Sequence, residues 1–373
     1  MHIQPFQAVY PDTGLISSAD HFFSSVKEKF SDYWESGFFK KLPQEGLYIH
    51  RIQTPKRLFT GMVACIDVQD YLDGHVKKHE NTLSAAEQEQ THLLLRRSAQ
   101  VKPVMLTYRK VDAIDDILNG YANASPHFLE VHFDEMDEMH RFWEIKEGHI
   151  IQRLQTIFQE NVPDTYIADG HHRTSSAALL YQRFGKKKGE NPFRWLPCAF
   201  YATPELEIHD FNRVVEGLND LKPSVFMAQL SRLFDIEVLK KPQKPTKKHE
   251  LTLYLDREWF KLNWKKELLS SYKKEPVVLD VNLLNTHVLK GILGISDVRT
   301  DARVKYLEGP KGLDVLKEKT LKNEERLAFC LFPVSMEDFL EVSDLGGVLP
   351  PKSTWFEPRI RSGLLVRQFS ANV

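Results

Sequence analysis

Short apolar runs bounded by polar turns dominate the first half of the chain, and their spacing predicts strands and helices in mixed order. Residues Leu47–Ile52 and Leu58–Val68 are rich in β-formers and flank Thr54-Pro55-Lys56, so they predict a hairpin. The stretch Tyr71–Thr82 is too polar for a core element. Ser84 with Glu87 three residues later forms a capping box, which predicts a helix from Ala85 to about Arg97. Val104–Tyr108 reads as a buried strand, Ala113–Asn119 as a short helix, and Phe128–Phe133 with His140–Ile145 as paired strands. Ile150, Ile151, Leu154, Ile157 and Phe158 recur at helical spacing. A short apolar run then ends at Asp169-Gly170, a second helix carries Ala177, Ala178, Leu180 and Tyr181 up to Gly185, and Leu196–Ala202 is a strand. The order helix, strand, turn, helix, strand predicts an α/β crossover unit.

A second half begins near Leu206. Val225–Phe234 has helical character, and Leu251, Leu253 and Leu255 alternate with polar residues. They predict a hairpin that turns at Asp256-Arg257-Glu258 and ends near Trp264. Asp280 is placed to cap a helix through Leu293, Leu327–Val334 is a strand, and Ser335 with Asp338 starts a last helix. Lys240–Lys248 is a basic, proline-broken surface connection. The expected division is an α/β domain over 1–205 and an α+β domain over 206–373.

Composition narrows the classes. At 373 residues there is room for two cores. A net charge of −1 gives no basic excess for nucleic acid, and 27% charged residues is ordinary for a soluble protein. Cys65, Cys198 and Cys330 are far apart and lie in apolar runs, without metal spacing, so a reducing cytosol is the expectation. Met1–Phe6 lacks a charged leader followed by an apolar stretch, and no apolar run approaches membrane-spanning length. A cytoplasmic protein with no membrane partner is expected.

Three clusters carry candidate chemistry. At Asp169-Gly170-His171-His172-Arg173 a strand end meets a helix start. Helix N-termini offer unpaired N–H groups and the positive end of the dipole, glycine permits close approach, and arginine grips phosphate bidentately. This predicts a phosphate-binding turn, which Thr174, Ser175 and Ser176 extend with further donors. The second cluster, His75–Thr82, has histidines four apart with Glu80 directly after His79. A shared helix face would make it a metal site, but Gly74 makes a loop as plausible, and spacing alone assigns it no role. The third, Pro350-Pro351-Lys352-Ser353-Thr354-Trp355-Phe356, is a stiff turn that offers a cation and two hydroxyls. It reads equally well as a structural turn with Trp355 and Phe356 in the core.

Together these clusters resemble a bacterial and archaeal family of formerly unknown function related to the free serine kinases, which contain a ParB/sulfiredoxin-like nucleotide-binding domain. The likeness covers nearly the whole chain. Its landmarks are Asp70-Tyr71 with Val76–Thr82, Ile167–Arg173, Asn212-Arg213-Val214-Val215 and Pro350–Gly363. The resemblance implies an N-terminal ParB/sulfiredoxin-like domain over 1–205 and a C-terminal α+β domain over 206–373. It also implies phosphoryl transfer from ATP or ADP, with Mg²⁺, to the hydroxyl of a small molecule such as free serine. On that analogy Glu80 is the general base, and Asp169, Gly170, His171, His172 and Arg173 hold the nucleotide phosphates. His79, Lys352, Ser353 and Thr354 contact the acceptor, the last three from the C-terminal domain. A loose phosphoryl-transfer transition state needs mainly positioning and charge neutralisation, which suits these residue types.

The chain departs from relatives in several places. Where sulfiredoxin carries a cysteine in the matching turn this chain has His171, which excludes sulfinic-acid repair. The Gly-Glu-Arg-Arg turn of ParB-like CTP switches is absent. Tyr10-Pro11-Asp12 stands for a Pro-Tyr-Asp element, and Gln90-Thr91 for an Asp-Arg pair. Two other functions stay open. One is a nucleotide-binding regulator without turnover, with homo-oligomerisation open. The other is a metal-dependent hydrolase built on His75, His79, His171 and His172.

Overall fold

A computed structural model describes residues 1–81, 84–185, 191–321 and 326–369; the side chains of Ser84 and Ala86 also lie outside the description. Thr82 and the Ser84 half of the expected capping box therefore fall outside the described residues. The fold is mixed α/β with several sheets. The chain divides into two compact units, Met1–Glu207 with Pro358–Val373, and Ile208–Glu357. The last residues thus group with the first unit, whereas the sequence division assigned them to the second. Among the described residues, no helix is long and apolar enough to cross a membrane.

The first unit is built on one sheet. Its order is Val76–Lys77, Thr165–Asp169, Val104–Tyr108, Trp195–Ala202, Leu58–Asp67, Leu47–Gln53, Glu138–Ile145 and Leu129–Phe133, with Ile3–Gln4 pairing beside Leu58–Asp67. The two hairpins form as the alternation predicts, with Leu47–Gln53 antiparallel to Leu58–Asp67 and Leu129–Phe133 antiparallel to Glu138–Ile145. Central strands are apolar on both faces, as buried strands must be. Val104–Tyr108 is buried at every position. Helices Asp112–Ala124 and Gly148–Asn161 cover one face through Ile114, Leu118, Leu154 and Phe158.

Two expectations about this unit are corrected. Thr165–Asp169 and Trp195–Ala202 do not make a parallel crossover. Both pair with Val104–Tyr108, the first antiparallel and the second parallel, so they run opposite ways. Element order alone does not fix strand direction, because the connection after Gly185 can return the chain to either end of the sheet. The polar stretch after Tyr71 also joins the sheet. Val76–Lys77 pairs parallel with Thr165–Tyr166, and Val76 and His79 are buried. A helix that the sequence reading passed over, Ala19–Glu35, starts at Ser18, whose hydroxyl caps the amide of His21. It buries Phe22, Phe23, Val26 and Phe30.

The second unit is a six-stranded antiparallel sheet in the order Phe234–Leu239, Glu258–Trp264, Glu250–Leu255, Arg326–Leu331, Phe211–Glu216 and Val304–Glu308. Asp256 and Arg257 both have positive φ, 48° and 66°, which is the twist a two-residue hairpin requires. The helix expected over Val225–Phe234 is Pro223–Leu230, and Phe234 instead opens an edge strand. Asp280 is not a cap. It lies inside the helix Asp280–Leu283, and its carboxylate accepts from the His249 amide at 2.9 Å. That helix widens into a π-helical stretch, Leu284–Lys290. Ser335 does cap Met336–Asp344, by accepting from the Asp338 amide. In the basic connection, Lys244 and Lys248 turn inward to Asp210 and Asp338.

Phe158 is fully buried between the rings of Tyr108 and Phe200, with centroids 5.4 and 5.3 Å away. Phe158→Ala should cost about 3–5 kcal/mol through lost burial and a residual cavity. Urea unfolding of the full chain measures this, and a cost below about 1 kcal/mol would contradict the packing described.

Candidate functional site

Thr165–Asp169 runs through the interior and delivers Asp169 to the sheet end, where a bulge between Ile167 and Asp169 shifts the register against Val104–Tyr108. Gly170 follows with φ +113° and starts the helix His171–Phe184. Positive φ alone favours glycine, and contact reinforces it. A Cβ here would meet the Arg173 guanidinium at 2.6 Å. The helix start has no side-chain cap and no acidic residue in its first turn. Its first N–H groups and dipole end are therefore available to an anion. The helix is held in place by Ser176, whose hydroxyl donates to the carbonyl of Glu87 in the neighbouring helix Ser84–Arg97 at 2.9 Å.

Charge at this corner is one-sided. The Asp169 carboxylate accepts from Arg173 Nη2 at 2.8 Å and from Lys102 Nζ at 3.1 Å. Arg359, on the returning C-terminal segment, adds a third positive charge that acts on both Asp169 and Lys102. Burial by itself would push the Asp169 carboxyl up. The Lys102, Arg173 and Arg359 charges outweigh it and hold the group well below the usual carboxylate range. Lys102 is pushed down to about 8 by burial, with Asp169 opposing the shift and Arg173 and Arg359 adding to it. The charges of Lys102, Arg173 and Arg359 thus act together on the Asp169 carboxylate.

His79, Glu80 and His171 adjoin this corner. The His171 and His79 rings meet edge to face, with centroids 4.5 Å apart. The His79 amide points at His171 Nε2 at 3.5 Å, which makes Nε2 the acceptor and places the ring proton on Nδ1. Nδ1 lies 3.5 Å from Glu80 Oε2. Burial pushes His171 down to about 4, and burial also lowers His79, so both imidazoles are neutral at pH 7. The neutral Nδ1–H of His171 thus faces a carboxylate whose side chain is 46% exposed. A carboxylate oriented by a donor and open to solvent is equipped to accept a proton. Among the described residues, His172 Nδ1 is buried without a hydrogen-bond partner.

The structure therefore brings Glu80, His79 and Asp169–Arg173 together within the first unit. Lys352, Ser353 and Thr354 belong to the second unit. There Lys352 adopts φ +56°, and its carbonyl accepts from the wholly buried Arg213 at 3.1 Å. Its ammonium lies over the Phe211 ring, 5.5 Å from the centroid. The Ser353 hydroxyl donates to the Pro350 carbonyl at 2.6 Å, and Phe356 is in the core. His75 is exposed and faces Asp164 at 3.5 Å. Sequence reasoning missed Lys102 and gave Arg359 no role. A lone lysine in the apolar run Val101–Leu106 was the available signal.

Residues 8–282 match a protein family described as "Protein of unknown function (DUF1015)", and the chain belongs to that family. No curated protein matches the chain. Among solved structures it is similar to C-terminally truncated SbnI from Staphylococcus aureus, at 10% identity and a TM-score of 0.42, over 81% of this chain and 85% of that one. It is also similar to a free serine kinase in complex with AMP, at 14% identity and a TM-score of 0.37, over 79% and 86% of the two chains. A conserved hypothetical protein from Pyrococcus furiosus gives 13% identity and a TM-score of 0.36, over 81% and 95%. Likeness this distant carries no argument about chemistry.

Two outcomes follow from the geometry. Gly170→Ala should cost about 1–3 kcal/mol in strained backbone and should displace Arg173; urea unfolding together with the affinity for inorganic pyrophosphate reads both effects. Protonated Lys102 favours an anion, so its contribution to pyrophosphate binding should fade as pH rises through about 8. Lys102→Met should weaken binding at pH 7 by about 1.5–3 kcal/mol, and the gap between the two proteins should close by pH 10. A gap that stays constant with pH would mean that Lys102 does not meet the anion.

Proposed function

We propose that this protein is a nucleotide-dependent kinase that transfers a phosphoryl group from ATP or ADP to the hydroxyl of a small, free serine-like acceptor. The first unit would supply a ParB/sulfiredoxin-like nucleotide site. The observation that carries the reading is the convergence of the Lys102, Arg173 and Arg359 charges on Asp169 at the start of helix His171–Phe184, directly beside Glu80.

In this reading the phosphates lie against the first N–H groups of helix His171–Phe184, with Arg173, Lys102 and Arg359 as counter-charges. Glu80, oriented by His171 Nδ1–H, takes the proton of the acceptor hydroxyl. That oxygen bonds to the terminal phosphorus as the bridging P–O bond breaks, and the shortened nucleotide leaves with the charge that the three cations neutralise. Asp169 is committed to Lys102 and Arg173, so Mg²⁺ would be held mainly by the phosphates, where it would neutralise their oxygens. His79 is proposed to shape the acceptor side. The hydrolase alternative is less well supported, because His75 is directed to Asp164 and His171 Nε2 faces the His79 amide.

Calorimetric titration with ATP and ADP in Mg²⁺, followed by phosphorus NMR of reactions with free serine and other hydroxy compounds, tests the proposal. Glu80→Gln should keep nucleotide affinity within about threefold while turnover falls by a factor of about 10²–10⁴, the span of a general base. Binding without product across the acceptor set would favour the regulator instead. Absence of nucleotide binding would end the kinase reading.

A further inference from the structure

The residues after Pro358 form a strap along the first unit. Phe369 N–H donates to the Ser98 carbonyl at 3.0 Å, Arg367 pairs with Gln100, and Gly363 N–H donates to the Val101 carbonyl at 2.8 Å. The strap therefore runs antiparallel to residues 98–101 and brings Arg359 towards Lys102 and Asp169, on which its charge acts. Gly363 has φ +82°, and a Cβ there would collide with the Val26 side chain, so the strap lies tight against helix Ala19–Glu35. Between Arg359 and Gly363, Arg361 reaches back to the sheet. Its Nη2 is 2.7 Å from Glu138 Oε2, and its guanidinium lies 4.7 Å from the Phe133 ring centroid.

Glu138 is an unusual anchor because it is buried and ends an internal polar chain. Tyr201 OH is 3.0 Å from His50 Nδ1, and His50 Nε2 is 3.0 Å from His140 Nδ1. His140 Nε2 then lies 3.7 Å from Glu138 Oε2, an electrostatic contact rather than a tight hydrogen bond. Both imidazoles are buried, and burial keeps them below the usual histidine range. Neutral rings between a hydroxyl and a carboxylate leave one consistent order of protons. Tyr201 donates to His50, His50 to His140, and His140 points its proton at Glu138. Burial would push the Glu138 carboxyl up, but the approach of His140 and the ion pair with Arg361 bring it below the ordinary value. The chain thus presents an ionised, oriented carboxylate at the sheet surface where Arg361 arrives.

We propose that Arg361 is a positioning residue. Clamped by Glu138 and its Tyr201–His50–His140 support, it fixes the strap so that Arg359 stays at the Asp169 corner. The consequence for ligand binding rests on the anion-site reading above, while the clamp itself does not.

Arg361→Gln, Arg361→Lys, Glu138→Gln and Arg359→Gln in the full chain, read by amide hydrogen exchange of residues 358–369 and by inorganic pyrophosphate titration, form the test. Arg361→Gln should speed exchange over 358–363 at least tenfold and weaken pyrophosphate binding three- to tenfold, and Arg361→Lys should restore part of both. Arg359→Gln should weaken binding as much while exchange stays at the wild-type rate. Faster exchange with unchanged affinity would overturn the positioning role, and unchanged exchange in Arg361→Gln would overturn the clamp. If Glu138→Gln fails to fold, the two Arg361 variants decide the matter. If the wild-type chain binds no pyrophosphate, the anion site fails, and exchange still judges the clamp.

Discussion

The ion contacts around Asp169 bind together elements that are remote in sequence. Arg173 arrives one helical turn later, Lys102 from the approach to a central strand, and Arg359 from the far end of the chain. A single half-buried carboxylate holds Lys102 and Arg173 and feels the charge of Arg359, at the start of a helix whose first turn carries no acidic residue. Opposite charges in a low-dielectric corner attract strongly, but each also pays for lost hydration, so the arrangement persists because several donors share one acceptor.

Much of the architecture was legible because it follows from periodicity. Val104–Tyr108, the Leu47–Asp67 hairpin and the amphipathic helix carrying Leu154 and Phe158 repeat apolar residues at the spacing their structure requires. Strand direction was not legible, since alternation reads the same both ways. Asp280 failed as a cap because aspartate's preference for helix starts competes with tertiary partners, and here the His249 amide took the carboxylate.

The candidate site divides along the same line. Asp169–Arg173 could be read from the sequence because its chemistry is contiguous and a strand-to-helix turn has a local signature. Spacing alone gave Glu80 no role and only the resemblance singled it out; its neighbourhood becomes visible once Val76–Lys77 is seen to pair beside Thr165–Tyr166, which sets His79 against His171. Lys102 and the His50–His140 pair leave no local mark beyond a polar residue in an apolar run. Their partners come from other strands, and only the folded sheet supplies them.

The chain leaves the first unit at Glu207 and re-enters it at Pro358, so about 150 residues of the second unit are interposed in its sequence. Contacts such as Gly363 with Val101 and Arg361 with Glu138 therefore have very large sequence separation, and loop closure of that length is slow. On a ribosome, the second unit emerges whole before the strap exists, so the contacts of Arg359, Arg361 and Gly363 with the first unit form only after it. A nascent chain can hold the folded sheet of the first unit and still lack Arg359.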